Sequence, residues 1–318
     1  MRALVTGAGG FIGGAAVAAL RARGVEVREG RRPAFDLDRP ETLAPALEGV
    51  ETVVHGAYRD IAAMPKQAEA LVRAMERAGA RRLVALSSIA VYGEADGFVD
   101  ESAPLTARDP YGRAKIACEV IARGFSGGTI VLRPGIVYGA GSRLWVDKLS
   151  ERIRAGAWGD FGPLGEGVAA LIHVNDLAAM IAALAVNGPG VTLNAVGPET
   201  PTWNAYFAAL AQGLGAPPPP RLSAREIARA RRLAVLPKVW RRLGLPGGAK
   251  RALAPTAGEL ALFSRRAVYS GEAAKALGLA PRIGLAEGLR LTYPARPYQR
   301  RFSNTATTAS DTRSGAIR

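Results

Sequence analysis

Cysteine occurs once, at Cys118, and histidine twice, at His55 and His173. A single thiol excludes an internal disulfide framework and leaves no cysteine set for zinc. The two histidines lie far apart in sequence, so no metal site is expected. No segment offers roughly 18 apolar residues free of charge, so none reads as a transmembrane helix. The apolar stretch Gly9–Leu20 is preceded only by Arg2, and its glycine spacing has another explanation given below, so it does not read as a signal peptide. A cytoplasmic location is the expectation. Acids are also scarce: 27 Asp and Glu face 42 Lys and Arg, for a net charge of +15. The excess concentrates between Arg221 and Arg251, where Glu226 is the only acid. Two readings stay open for this segment. It is a solvated helical face, or it attracts anionic partners, with weak membrane-surface association as one form of that attraction. No nucleic-acid motif accompanies it, so nucleic acid is not an expected partner.

What is present suits a soluble enzyme. Hydrophobic residues make up 48% of 318, enough for a large core, and a prior of about 150 residues per domain suggests one or two domains. Short apolar runs alternate with helical patterns in the first half. Strands are expected at Ala3–Thr6, Val25–Arg28, Glu51–His55, Arg82–Ser87 and Thr129–Leu132. Helices are expected at Phe11–Arg23, Glu41–Glu48, Ile61–Ala78 and Tyr111–Arg123. This alternation predicts an α/β fold, a doubly wound parallel sheet covered on both faces. Further helices are expected at Trp145–Ala155, Leu177–Val186, Trp203–Gly213, Ser270–Leu277 and Leu285–Thr292. Ser223 with Glu226 forms a capping box before the basic helix. The expected division is a dinucleotide-binding domain over 1–190, with 140–170 partly substrate-facing. A smaller, mostly helical substrate-binding region and lid follows over 191–298, then a disordered tail over 299–318.

Between the first strand and first helix lies Thr6-Gly7-Ala8-Gly9-Gly10-Phe11-Ile12-Gly13. Glycine permits positive φ and removes the Cβ that blocks a close ligand. The helix N-terminus beyond offers free N–H groups and a positive dipole end to a pyrophosphate. Gly7, Gly10, Phe11, Ile12 and Gly13 are therefore candidate cofactor contacts, Gly13 by letting the helix pack on the strand. A carboxylate at the end of the second strand would bind the ribose hydroxyls of NAD; Arg31 and Arg32 stand there instead. A guanidinium pairs with a 2′-phosphate, which favours NADP over NAD, although Glu29 nearby could serve NAD. Asp36 and Leu37 are candidates for the adenine. Gly56, Ala57 and Tyr58 follow the third strand, where small residues let a cofactor cross the strand end.

Tyr111 and Lys115 share a helix face at four-residue spacing. A free tyrosine, with a pKa of about 10, is a poor acid–base catalyst near neutrality. A neighbouring ammonium and an oxidised nicotinamide ring favour phenolate, so Lys115 is expected to lower the Tyr111 pKa. Tyr111 then exchanges a proton with a substrate oxygen while the nicotinamide exchanges hydride. Ser88 at a strand end is placed to hydrogen-bond the same oxygen.

With these residues in place, the sequence resembles the extended, epimerase/dehydratase-like branch of the short-chain dehydrogenase/reductase superfamily. The resemblance rests on Thr6–Gly13, Ser87–Gly93, Tyr111–Lys115, Leu132–Gly135 with Tyr138-Gly139, and Ile172–Asp176. It covers residues 1 to about 190 in the expected order, with a further similarity over Lys275–Thr292. It implies a Rossmann fold, a catalytic set of Ser88, Tyr111 and Lys115, and a homodimer. It also implies that Lys115 binds the nicotinamide ribose and that the chain after Pro134 contacts the nicotinamide. Ser87, Tyr111, Lys115, Pro134 and Ile136 join the candidate cofactor contacts. His173 is implied to fix local structure, and Tyr92 and Tyr138 to pack.

Departures from the family patterns narrow the chemistry. Ile89 and Ala90 stand where nucleotide-sugar dehydratases carry an Asp-Glu pair. Ile136 stands where nucleotide-sugar epimerases usually place Asn, and Ala169-Ala170 where many place Arg-Asp. The groups that meet a substrate diphosphate are missing, unless the arginines from Arg221 onward substitute. Leu132–Arg143 looks more like the hydroxysteroid-dehydrogenase and dihydroflavonol-reductase-like members, which act on apolar or polycyclic ketones and alcohols. The expected activity is therefore an NADP-preferring ketone–alcohol oxidoreductase on a small-molecule substrate, with a nucleotide-sugar 4-epimerase using bound NAD as the alternative. Leu233, Val235, Leu236, Val239, Trp240 and Leu243 between arginines suggest an apolar lid, a membrane-surface helix, or an ordinary helix packed on the core.

Overall fold

The computed structural model describes residues 1–233 and 254–294. Its centre is a six-stranded parallel sheet. The strands are β1 (Arg2–Thr6), β2 (Glu26–Gly30), β3 (Thr52–His55), β4 (Arg82–Leu86), β6 (Gly128–Pro134) and β9 (Thr192–Ala195), in the order β2-β1-β3-β4-β6-β9. The inner strands read as nearly continuous apolar runs because helices cover both faces. Leu4 and Val5 of β1, Val53 and Val54 of β3, and Val84 of β4 are buried.

On one face α1 (Phe11–Ala22) lies beside α6 (Val174–Asn187). Both are rich in alanine, which lets them approach closely over Val5, Val54, Val84 and Leu132. On the other face lie the short α2 (Leu43–Leu47), α3 (Met64–Ala78) and α4 (Pro110–Arg123), packed over Leu4, Val53 and Leu83. The chain leaves β1 for β2 on one side, then returns to place β3 on the other. That reversal opens a crevice at the carboxyl ends of β1 and β3, where ligands bind in such sheets. Register brings Thr6 opposite His55, His55 opposite Ala85, and Leu86 opposite Leu132, so the strand ends form one rim.

Beyond the sheet sits a second core, dominated by Trp158, Phe161, Trp203, Phe207 and Phe263. It joins α5 (Lys148–Arg154), α7 (Trp203–Gly213), α8 (Ala224–Leu233), α9 (Ala257–Phe263) and α11 (Leu285–Thr292). Two parallel strand pairs tie this region to the first: β5 (Phe98–Val99) with β10 (Val268–Tyr269), and β7 (Ile136–Tyr138) with β8 (Leu171–His173). The helix α10 (Glu272–Ala276) returns to the main sheet and sinks Ala274 into its core. The expected boundary at 190 therefore falls short of β9, the sheet's last strand. Thr192–Ala195 is too short, between glycine–proline turns, to stand out from the sequence.

Other differences have local causes. The expected helix Trp145–Ala155 begins as a π-turn over Arg143–Asp147, with the Asp147 amide donating to Ser142 five residues back. α6 begins at Val174, three residues earlier than expected, because the His173 ring accepts the Asn175 amide and caps it. The Ser223–Glu226 box forms as expected, and Ile227 of α8 is buried against the second core. The remainder of the basic segment from 234, with its lid and membrane-surface readings, and the tail over 299–318 lie outside the described residues. No described helix is long and apolar enough to cross a membrane.

Candidate active site

The glycine loop fits a dinucleotide. Gly7 sits at φ +70°, and a Cβ there would lie 3.3 Å from the Ala57 Cβ. A Cβ on Gly13 would lie 2.1 Å from the Gly7 carbonyl oxygen, so only glycine lets α1 pack on the loop. The amides of Phe11, Ile12 and Gly13 have no helical carbonyl four residues back. Gly10, the N-cap, provides no side chain to satisfy them. The loop thus presents open donors at the positive end of a helix dipole, the chemistry a pyrophosphate requires.

Thr6 joins the two strand ends beneath this loop. Its hydroxyl oxygen accepts the Gly56 and Ala57 amides at 3.2 Å and lies 3.0 Å from His55 Nδ1. Burial pushes His55 down to about 3, and the Lys115 charge adds to it, so the ring is neutral at physiological pH. Thr6 opened the glycine loop in the sequence but was not among the candidate site residues; its place as the last residue of a buried strand is the signal that could have found it.

At the end of β2, Arg31 donates from Nε to Glu29 at 2.7 Å, and Arg21 donates to the other oxygen at 2.8 Å. These arginines hold the Glu29 carboxyl below its usual range, the Arg31 hydrogen bond foremost. Arg31 also reaches the glycine loop, its Nη1 lying 3.6 Å from where a Gly9 Cβ would sit. Arg32 is exposed. Asp36 is half-buried and accepts the Asp38 amide at 3.0 Å. The Leu37 side chain is buried with Phe35 and Leu43.

The catalytic candidates converge at the ends of β4 and α4. Asp109 caps α4 by accepting the Gly112 amide at 3.0 Å, which fixes the helix start one residue before Tyr111. Lys115 is buried and donates to the Leu86 carbonyl at 2.7 Å. Its ammonium lies 5.9 Å from the centre of the Tyr111 ring and 5.6 Å from that of Tyr58. Burial lowers the Lys115 pKa, opposed by Cys118 and Glu119. Ser88 accepts the Ala90 amide at 3.1 Å, which orients its hydroxyl. The expected lowering of Tyr111 is not realised in this state. Burial pushes its hydroxyl up to about 12 and nearby Tyr58 adds to the rise, while the Ser88 hydroxyl opposes both. Removal of the phenol from water dominates, and the Lys115 ammonium is engaged with the Leu86 carbonyl.

Three further residues lie close to this cluster in the chain. The Ser87 hydroxyl donates to the buried Glu119 at 2.5 Å, and Ser87 lines one cavity with Gly56, Ala57, Tyr58 and Lys115. Pro134 closes β6 and is buried. Ile136 donates its amide to Ala170 at 2.7 Å and turns its side chain to the second core. Glu119 and its partner Arg133 carried no role in the sequence reading; the position of Glu119 four residues after Lys115, on the same helix face, is the available signal. Tyr92 and Tyr138 are buried.

A parallel sheet with an uncapped, glycine-opened helix at its switch point, and a Ser–Tyr–Lys cluster on the adjoining strand and helix, defines a nicotinamide-dinucleotide enzyme. The chain belongs to the NAD dependent epimerase/dehydratase family, whose model matches residues 3–195. It is an NAD(P)-dependent enzyme of the extended short-chain dehydrogenase/reductase type. It is 35% identical over 264 residues to a 3-diazoavenalumate denitrifying reductase of Streptomyces sp, covering 70% of this chain and 85% of that one. It is 30% identical over 192 residues to a 3-beta-hydroxysteroid dehydrogenase of Mycolicibacterium neoaurum, covering 49% of this chain. The match spans about half, 52%, of that dehydrogenase. Among solved structures, the UDP-glucose 4-epimerase of Thermus thermophilus in complex with NAD superposes with a TM-score of 0.70 at 26% identity. That superposition covers 92% of this chain and 98% of the epimerase.

Proposed function

We propose that this protein is an NADP-preferring reductase or dehydrogenase that interconverts a ketone and an alcohol on a small apolar or mixed substrate. The observation that carries this reading over epimerisation is the apolar wall at Ile136, Ala169 and Ala170. Both alanines are buried, and Ile136 turns to the second core, so these positions offer a diphosphate no donor. Arg221, the first of the arginines that could substitute, lies in a surface cleft lined also by Arg266, Asp160 and Glu166. The names of the reductase and the hydroxysteroid dehydrogenase among the relatives support the same class of chemistry.

When bound, the nicotinamide supplies or accepts the hydride. The glycine loop and the amides of Phe11, Ile12 and Gly13 hold the pyrophosphate. Arg31, already beside Gly9, takes the 2′-phosphate, with Glu29 neutralised between two arginines. Ser88 orients the substrate oxygen. Tyr111, protonated at neutral pH, donates its proton to that oxygen in the reductive direction. Lys115, on the same helix face, favours the resulting phenolate whenever it carries its proton.

The test is incubation with NADPH and a panel of aliphatic, aromatic and polycyclic ketones, beside UDP- and dTDP-sugars with NAD. NADPH consumption matched by alcohol formation supports the reading. Epimerised sugar without net cofactor use, and no ketone reduced, overturns it.

A further inference from the structure

We propose that Ser87, Glu119 and Arg133 are positioning residues that set the height of the catalytic helix against the strand carrying Ser88. This rests on the catalytic reading of Ser88, Tyr111 and Lys115. Tyr111, Lys115 and Glu119 follow one another at four-residue intervals, so they line one face of α4. The end of β4 meets that face residue by residue. The Leu86 carbonyl accepts Lys115 at 2.7 Å, the Ser87 hydroxyl donates to Glu119 at 2.5 Å, and Ser88 faces Tyr111. Ser87 is thus the middle of three successive residues, and its tie to Glu119 lies between the two that meet Lys115 and Tyr111.

The Glu119 carboxylate is fully engaged. Arg133 donates to both oxygens, at 2.9 and 2.8 Å, and Arg123 adds a bond at 2.8 Å. Glu119 and Arg133 are both buried, at 1% and 3% side-chain exposure. Arg133 also donates to the Tyr92 hydroxyl at 2.8 Å, and Tyr92 donates to Asn194 at 2.7 Å. The network therefore pins α4 to β4, β6 and β9 together, at the rim where the reacting groups lie. A planar guanidinium fork admits one geometry, which a flexible ammonium would not impose. Such a clamp fixes positions rather than touching substrate. A displacement of about 1 Å at a reacting group can cost about 100-fold in rate, so the network's contribution falls on turnover.

Ser87→Ala tests this, because it cuts the middle tie and leaves the Glu119–Arg133 pair intact. The expected result is a fall in kcat of about tenfold, a tenth of that 1 Å cost. KM and NADPH Kd should stay within about twofold, since no ligand contact is removed, while the lost hydrogen bond to a buried carboxylate lowers the melting temperature without unfolding the chain at assay temperature. Ser87→Thr, which keeps the hydroxyl, should restore kcat. A second readout is independent of any substrate: ultraviolet titration of Tyr111 in the NADP complex, taken as the difference from Tyr111→Phe, should shift upward in Ser87→Ala as Ser88 loses its hold. If Ser87→Ala leaves both kcat and the titration unchanged, or if Thr fails to restore them, the proposal is overturned. If no ketone is reduced but the titration shifts, the reductase reading fails and the positioning role stands.

Discussion

Replacing Gly13 with alanine should damage both cofactor binding and stability, and the structure gives the scale. The added methyl would lie 2.1 Å from the Gly7 carbonyl oxygen, 2.7 Å from the Gly7 carbonyl carbon and 3.1 Å from the Ala8 nitrogen. All three are backbone atoms, so no side chain can rotate away; α1 must move off the loop by about 1 Å. Overpacking of this kind costs about 1–3 kcal/mol, and each kcal/mol lowers Tm by roughly 2–4 °C in a domain of about 200 residues. The same movement displaces the Phe11, Ile12 and Gly13 amides from the pyrophosphate. A loss of about 1.4 kcal/mol there weakens binding about tenfold. Gly14→Ala is the control, because its methyl would meet only the Ala8 carbonyl at 3.4 Å, an ordinary contact. It should gain about 0.8–1 kcal/mol of helix propensity and bind normally. NADPH fluorescence titration and thermal melts read both variants. Gly13→Ala that binds NADPH and melts like wild type would refute the close-packing argument for the loop.

Arg31→Ala should weaken NADPH binding more than NADH binding in paired titrations, because it removes the cation beside Gly9 and frees the Glu29 carboxylate; equal losses would defeat the 2′-phosphate assignment. His55, held near 3 in the folded chain against an ordinary value of 6.5, binds its proton only on unfolding between those values. Stability should therefore be present above about pH 6.5 and fall as pH drops toward 3, by at most about 1.4 kcal/mol per unit. Urea unfolding at pH 7 and pH 5 should show a smaller drop for His55→Asn than for wild type, and equal drops would contradict the assignment. Glu259→Ala should leave Arg152, 2% exposed, without its partner at 2.8 Å. A loss of about 2–3 kcal/mol is expected, below the 3–5 of a fully buried pair because Glu259 is partly exposed; chemical denaturation that finds no loss would count against this reading of the second core.

The parallel sheet was legible because buried parallel strands leave unbroken apolar runs, as Val53-Val54 and Leu83-Val84 do. The glycine loop was legible because only glycine satisfies the Gly7 φ and the Gly13 approach. The helix face that Tyr111 and Lys115 share was legible from their spacing. What resisted reading was set by tertiary contacts. Leu37 lies in a stretch that looks like a loop, yet burial claims its side chain. Ser87 and Ser88 are chemically identical neighbours, and only the packing of α4 against the chain after β4 gives one to Glu119 and the other to Tyr111. The sign of the Tyr111 shift depended on how deeply the phenol is buried, which no spacing reveals. The Glu119–Arg133 pair joins residues from a helix and a strand, and only the fold brings them together.

The central claim is that Tyr111 donates the proton in a reaction run on a cofactor held elsewhere in the crevice. The most direct measurement is NADPH affinity and turnover for Tyr111→Phe against wild type with a ketone the wild type reduces. The account predicts NADPH Kd within about twofold and turnover lowered by about 100-fold or more, the scale of a lost acid–base group. Turnover left near wild type, with the same affinity, would contradict it.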